Sequence, residues 1–231
     1  AAAREIVGFS LMIVVLLRMR LPVYTPRVRT ASAGAELMEG LRYAASSRTA
    51  RVLLLNLMAV AMFGFAVLTI FPAWAVNVLG GDVRLNGLML SVRGVGSLAG
   101  ALVVAFIGSR GSRGRILLAA TIVLPVSLLV FSQMRWIPAS LIAVAAIGAG
   151  LLMWANTSNA LLQTETPDEL RGRVMGLFVL IMFGGNPLGS LFLASLASRA
   201  GEPAAALLAG CVMLVVSLLT WTRASFVRKL T

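Results

Sequence analysis

Long apolar runs separated by short charged turns account for most of this chain. A run of 12 residues at 6–17 is closed by Arg18 and Arg20, and we interpret it as the tail of a helix. Six further runs approach or exceed the ~20 apolar residues that a bilayer requires. They occupy positions 52–79, 85–108, 116–134, 136–162, 174–198 and 204–221. The pattern predicts an all-α integral membrane protein.

Composition supports this prediction and excludes several functions. The chain is 59% hydrophobic and 12% charged, whereas soluble domains carry roughly 25% charged residues. It has no His and one Cys, Cys211, within an apolar run, where a buried inert thiol is expected. The sequence shows no metal-ligand cluster, cofactor motif or catalytic constellation. An integral membrane enzyme is therefore the least favoured class.

Charge placement predicts an orientation. The formal charge of +12 lies mainly in the turns between apolar runs, which favours a membrane protein over a nucleic-acid-binding one. If successive turns alternate sides, 15 of the 20 Lys and Arg residues fall on one side and 4 on the other, with Arg93 inside a span. The positive-inside rule then places the loop at 19–51 and the C-terminus in the cytoplasm.

The loop at 19–51 contains a predicted helix. Leu37, Met38, Leu41 and Ala45 lie on one helical face of its second half. Two interpretations fit this face: an amphipathic helix on the membrane surface, or a solvated linker helix.

A helix start is predicted in the turn between the fourth and fifth spans. Thr166 as the N-cap, Pro167 at the first helical position and Glu169 three residues after the cap indicate a capping box. Asp168, Arg171 and Arg173 complete this charged turn.

Arg93 is the one ionisable residue well inside a predicted span. Charged groups at membrane depth usually face a protein interior or a water-filled cavity. Arg93 is therefore a candidate for contact with an anionic group of a substrate or with a buried acid. The alternative is that its side chain snorkels to the outer interface.

A polar face marks the end of the fourth span. Asn156, Asn159 and Gln163 share this face. Asn156 and Asn159 are candidates for lining a polar substrate cavity. The alternative is that these side chains make interhelical hydrogen bonds near the cytoplasmic interface.

The middle of the fifth span contains Gly184, Gly185, Pro187 and Gly189. Proline removes a helical hydrogen bond, and broken helices at mid-membrane depth often mark transporter sites or hinges. These residues therefore predict a helix break that acts as a hinge or contacts substrate. The alternative is close helix packing through Gly185-x-x-x-Gly189.

Several of these segments resemble the major facilitator superfamily, closest to a bacterial branch of enterobactin-exporter-like proteins. The most specific match is TPDELRGRVMG at 166–176, with GNPLGS at 185–190 after it; in that branch this turn joins helices ten and eleven. EGLRY at 39–43 resembles the end of the central cytoplasmic loop. GSRGSRGR at 108–115 resembles the basic loop between helices eight and nine.

The basic loop departs from the family pattern at one position. Arg110 and Arg113 fit, but Ser109 stands where the family usually has Asp. The resemblance implies the C-terminal six-helix bundle of a twelve-helix major facilitator fold, plus the tail of helix six. It divides the chain into the end of helix six (1–18), a central cytoplasmic loop (19–51), helices seven to twelve (52–222) and a cytoplasmic tail (223–231).

The resemblance also implies a two-bundle transporter that works by alternating access. Its partners are the lipid bilayer, a small-molecule substrate and an N-terminal six-helix bundle, which in many such exporters carries the proton-coupling acids. The expected function is proton-coupled export of drug-like or siderophore-like molecules across a bacterial cytoplasmic membrane. Two other classes stay open: a non-transporting membrane scaffold or assembly protein, and the membrane subunit of an ATP-driven transporter.

Overall fold

The computed structural model describes Arg18 and residues 33–108 and 113–223. The rest of the predicted helix end at 1–18, Arg110 and the tail at 224–231 lie outside these residues. The helices of the described part, in chain order, are α1 (Ala33–Ser46), α2 (Arg48–Val78), α3 (Val83–Gly108), α4 (Arg113–Gln133), α5 (Ile137–Glu165), α6 (Asp168–Ala200) and α7 (Glu202–Arg223).

Helices α2 to α7 are each long and apolar enough to cross a membrane. They correspond to the six predicted runs, so the all-α, six-span prediction is confirmed for the described residues. Connections between them are short. Gly201 reverses the chain between α6 and α7 with a φ of 85°, a conformation open to glycine because it lacks a Cβ.

The backbone of α2 is irregular over its second half. Pro72 predicts an interruption there, because it has no N–H to donate to the Leu68 carbonyl. That carbonyl instead accepts from the Phe71 N–H in the tighter 3-10 pattern. The irregularity begins earlier than Pro72. The helix is π-helical over Val60–Phe65, 3-10 over Ala66–Ile70 and π-helical again over Trp74–Val78.

Glycines bring α3 and α5 into backbone contact. A Cβ at Gly96 would overlap the carbonyl of Ala145, and one at Gly100 would lie 2.9 Å from the Cα of Ala149. Lipid provides no hydrophobic driving force between spans, so their association depends on such close packing and on interhelical hydrogen bonds. The Ser97 hydroxyl adds one, donating to the Gly148 carbonyl over 3.2 Å.

A second glycine seam joins α6 to the irregular part of α2. A Cβ at Gly189 would overlap the carbonyl oxygen of Met62 and lie 2.5 Å from its Cα. A Cβ at Gly185 would lie 3.1 Å from the Cβ of Ala61. These two glycines therefore set how closely the first and fifth spans approach.

An aromatic cluster holds the far end of α2 against α4. The rings of Trp74 and Phe131 stack with their centroids 4.1 Å apart, and Phe71 lies 5.5 Å from Phe131. The Arg135 guanidinium lies 5.6 Å from the Trp74 ring, within cation–π range. This cluster secures α2 at the end opposite α1.

The outer surface of the bundle is apolar. Leu55, Val95 and Leu191 are each more than 60% exposed. Cys211, which was expected to be buried, is also exposed, and that expectation was wrong. An apolar run in a membrane protein faces lipid as readily as a core, so hydropathy alone does not indicate burial within the protein.

We expect Gly189→Ala to lower stability by about 1–3 kcal/mol, because its methyl group would collide with the backbone at Met62. Gly184→Ala is the matched control. No atom lies within 4 Å of a Cβ at that position, and alanine favours the helix by up to ~1 kcal/mol. Thermal unfolding in detergent measures both variants. Equal melting temperatures for the two would contradict the close approach.

Candidate functional site

The predicted break in the fifth span is not an unwound segment. Helix α6 continues from Asp168 to Ala200 with Pro187 inside it, so the predicted interruption of the helix does not form. The contacts of Gly185 and Gly189 agree with the packing alternative, whereas Gly184 faces open space. A single missing hydrogen bond at proline bends a helix without ending it when neighbouring spans support it. The hinge role stays a prediction.

A groove of about 420 Å³ lies where α6 meets α2. Its walls come from both helices, with one amide among apolar and aromatic side chains. The Oδ1 atom of Asn186 accepts a hydrogen bond from the Ser190 hydroxyl over 3.1 Å. The lining residues are Phe65, Met182, Phe183, Asn186 and Pro187.

The groove lies near the middle of both spans. Phe65 is close to the midpoint of Arg48–Val78, and Asn186 is close to the midpoint of Asp168–Ala200. At a rise of ~1.5 Å per residue, both residues lie roughly 20 Å or more from either end of their helices. Mostly apolar walls with a few polar groups are typical of small-molecule sites. The arrangement can hold an apolar or aromatic molecule and offer it one amide.

Arg93 lies on α3 against α5, away from the residues that line the groove. A Cβ at Gly148 would overlap the carbonyl oxygen of Arg93 and would lie 3.1 Å from the Cγ of the Arg93 side chain. The Arg93 side chain is partly exposed. Its Nε atom is buried and has no hydrogen-bond partner. The structure leaves both interpretations of Arg93 open.

The polar face of α5 forms as predicted but is separate from Arg93. The Gln163 amide donates to Oδ1 of Asn159, and Asn156 is exposed. Asn156 follows Gly148 by eight residues, which is about 12 Å along the helix. The three candidates for the cavity therefore do not form one cluster, and their role stays a prediction.

Buried polar groups without partners lie on the same stretch of α5. The indole Nε1 of Trp154 and the hydroxyls of Thr157 and Ser158 are enclosed and unbonded among the described residues. Other buried hydroxyls, such as Thr121 and Ser217, donate to carbonyls of their own helix. An enclosed polar group without a partner is unfavourable, and water commonly supplies one.

The charged turn before α6 is tied to α1. Arg173 forms an ion pair with Glu39 over 2.5 Å, and the Tyr43 hydroxyl donates to the Glu165 carbonyl over 3.3 Å. Arg171 pairs with Asp168. The Arg173–Glu39 and Tyr43–Glu165 contacts join segments more than 120 residues apart, so they form a structural clamp between α1 and this turn. Of the two predicted basic-loop residues, Arg113 is partly buried at the start of α4.

The predicted capping box does not form. The Thr166 hydroxyl donates to the Leu162 carbonyl over 2.6 Å and so belongs to the end of α5. Pro167 precedes α6 as its N-cap, without a side-chain cap bond. The extended backbone of Thr166 suits either role. Its buried hydroxyl instead satisfies a terminal carbonyl of the preceding helix.

Helix α1 has two distinct faces. Gly40 is buried against α6, where a Cβ would lie 3.3 Å from the Arg173 carbonyl oxygen. The predicted apolar face is exposed, at 40% for Leu37, 58% for Met38 and 46% for Leu41. The exposed face is compatible with a membrane-surface helix and with a linker helix.

Residues 2–228 match a family profile described as "Transmembrane secretion effector". The chain belongs to this family. Its members include exporters of the major facilitator superfamily, so the resemblance noted in the sequence is confirmed.

Named relatives of this secretion-effector chain are exporters. It is 29% identical over 190 residues to a multidrug efflux pump, Tap, of Mycolicibacterium fortuitum, covering 82% of this chain and 46% of the pump. It is 27% identical over 154 residues to the enterobactin exporter EntS of Citrobacter koseri, covering 67% of this chain and 37% of the exporter. The chain thus spans about half the length, or less, of the curated relatives it matches.

A solved structure shows the same fold. The Escherichia coli fucose:proton symporter FucP is similar with a TM-score of 0.73 and 16% identity, over 95% of this chain and 54% of the symporter. The predicted fold class, a six-helix bundle of the major facilitator fold, is confirmed.

Sequence reasoning missed most of the groove in this secretion-effector bundle. Pro187 was selected for its effect on the helix, whereas Phe65, Met182 and Phe183 resemble any lipid-facing apolar residues in sequence. The position of Asn186 beside Pro187 was a signal in the sequence for a site at this depth. A side-chain amide in the middle of a span is unfavourable unless it has a hydrogen-bond partner.

We expect Thr166→Val to lower stability by about 1 kcal/mol, because it removes the bond to the Leu162 carbonyl and leaves that carbonyl unsatisfied. Glu169→Ala should change stability by less than about 0.5 kcal/mol, because this exposed side chain forms no cap bond. Melting temperatures of the two variants measure the difference. A loss for Glu169→Ala equal to that for Thr166→Val would show that the capping box forms after all.

Proposed function

We propose that this bundle is the C-terminal half of a secondary transporter that exports small, largely apolar molecules by proton antiport and alternating access. The groove between α2 and α6 is the observation that supports this function. It lies at mid-depth, where transporter sites are found, and combines aromatic, thioether and amide groups. The named relatives, a multidrug efflux pump and an enterobactin exporter, are consistent with this class of substrate.

The proposed function requires a second six-helix bundle. The chain matches about half of each relative and of the solved symporter. Helices α3 and α6 are the least covered described spans, with 11% and 28% of their apolar windows buried. Each exposes several large apolar side chains, including Val95, Leu98, Leu188 and Leu191. These faces are suited to contact with the companion bundle or with lipid.

The charges support an orientation for the bundle. With α1 and the turn before α6 on one side, 15 of the 20 basic residues lie on that side, which we assign to the bacterial cytoplasm together with the C-terminus. The clamp between Glu39 and Arg173 then lies at the cytoplasmic surface. The protein is a multi-pass membrane protein that requires the bilayer as its solvent.

Proton coupling is assigned to the companion bundle. The Asp and Glu residues of the described part lie in α1 or at the ends of the spans, where water can reach them. A proton carrier at membrane depth needs an ionisable side chain there. The described spans supply the groove, and a carboxylate from outside them would supply the coupling.

Phe183→Ala should weaken the apparent affinity for ethidium, used as a lipophilic probe, by about tenfold, the order expected for losing one aromatic contact. Phe183 is 73% exposed, so the melting temperature should not change. Leu191→Ala is the matched control, since it is 72% exposed on the same helix and does not line the groove. Ethidium efflux by the full-length protein in proteoliposomes measures both. Equal affinities for the two variants would refute the groove as the substrate site.

Pro187→Ala tests the hinge separately. It restores an N–H donor to the Phe183 carbonyl and straightens α6, so export should slow several-fold while ethidium affinity and insertion are retained. Pro125→Ala, in the interior of α4 and away from the groove, is the control. An unchanged export rate for Pro187→Ala would remove the case for a hinge.

A further inference from the structure

Arg93 stands apart from every other charge in the described spans. It is the eleventh residue of a 26-residue helix, about 15 Å from its start. Every other charged residue of these spans lies within about two turns of a helix end. Arginine remains protonated in proteins, so it cannot escape the membrane interior by neutralising itself.

Packing restricts where the Arg93 side chain can go. Its Cγ and carbonyl oxygen are pressed against the backbone at Gly148. The Gly148 carbonyl already accepts the Ser97 hydroxyl. The buried Nε of Arg93 has no acceptor among the described residues. The guanidinium is thus held at the edge of the α3–α5 seam with one buried donor unmet.

The Asp and Glu side chains of the described residues lie away from Arg93, near the ends of the spans. The Asp82 carboxylate accepts from the Arg84 and Leu85 amides at the start of α3, and Glu202 accepts from Asn77. The acids of α1 and of the turn before α6 lie with the opposite ends of the spans. Of the eight acidic residues in the chain, only Glu5 lies outside the described part.

We infer that Arg93 is the recognition site for a carboxylate, or an equivalent oxyanion, that approaches the bundle from outside the described residues. A guanidinium presents parallel N–H donors that match a carboxylate in two-point contact, and in a low-dielectric setting this pairing is strong and selective. The carboxylate comes either from a transported molecule or from an acidic side chain of the companion bundle; both sources rest on the proposed function.

The full-length protein, reconstituted in liposomes, tests this inference with Arg93→Gln. Arg84→Gln is the matched control, because Arg84 is exposed at the end of the same helix. The measurements are melting temperature and the transport of two dyes, anionic carboxyfluorescein and cationic ethidium. If a substrate supplies the carboxylate, Arg93→Gln lowers carboxyfluorescein transport by about tenfold or more and leaves ethidium transport unchanged.

A resident acid gives a different result. Arg93→Gln then lowers the melting temperature of the full-length protein, and changing the partner acid of the companion bundle to its amide as well restores the melting temperature. If the unmodified protein moves neither dye, the transport proposal fails, while the melting temperatures still test Arg93. The inference is overturned if Arg93→Gln matches Arg84→Gln in melting temperature and in both dyes, as a snorkelling side chain would.

Arg93→Lys keeps the test decisive if Arg93→Gln does not fold. Lysine retains the charge but lacks the planar fork. Two-point recognition is supported if Arg93→Lys folds but has partial anion transport, or a melting temperature below that of the unmodified protein. Unmodified behaviour of Arg93→Lys in every measurement overturns it.

Discussion

Close backbone approach at glycine is the constraint on which this bundle depends. Apolar side chains gain little by leaving lipid for a helix interface, so the spans must fit closely enough for dispersion forces and polar contacts to hold them. Gly96 and Gly100 achieve this between α3 and α5, and Gly185 and Gly189 achieve it between α6 and α2. The groove borders the second seam, so its two walls are held by backbone contact at Met62.

The two helices that form the groove differ in how easily they deform. Helix α6 is α-helical from end to end apart from the one bond that Pro187 cannot donate, whereas α2 changes pattern repeatedly between Val60 and Val78. Helix segments that deviate from the α pattern have poorer hydrogen-bond geometry and often mark functional hinges. A change in the shape of the groove is therefore easier through α2 than through α6 alone, although sequence reasoning pointed to α6.

Hydropathy predicted the spans because a bilayer demands long apolar runs whatever their packing partners are. It did not predict which side chains face each other, and the errors follow from that. Cys211 lies in an apolar run but faces outward, and Phe183 is indistinguishable in sequence from a lipid-facing residue. Thr166 has the right neighbours for a cap, yet its hydroxyl serves the helix before it. The Glu39–Arg173 pair joins positions too distant in sequence for local patterns to indicate.

The distribution of charge separates two kinds of selection within the described spans. The described spans contain a mostly apolar groove and one cation at depth, and their carboxylates stay near the ends of the spans. A groove of this kind selects by shape and apolar area, which tolerates many ligands, whereas a guanidinium at membrane depth selects by charge and geometry. Because an unpaired charge in a membrane interior is unfavourable, the second kind of selection is complete only when a partner arrives. In the role we propose for it, Arg93 would give this bundle a preference for an anionic partner that its apolar groove does not provide.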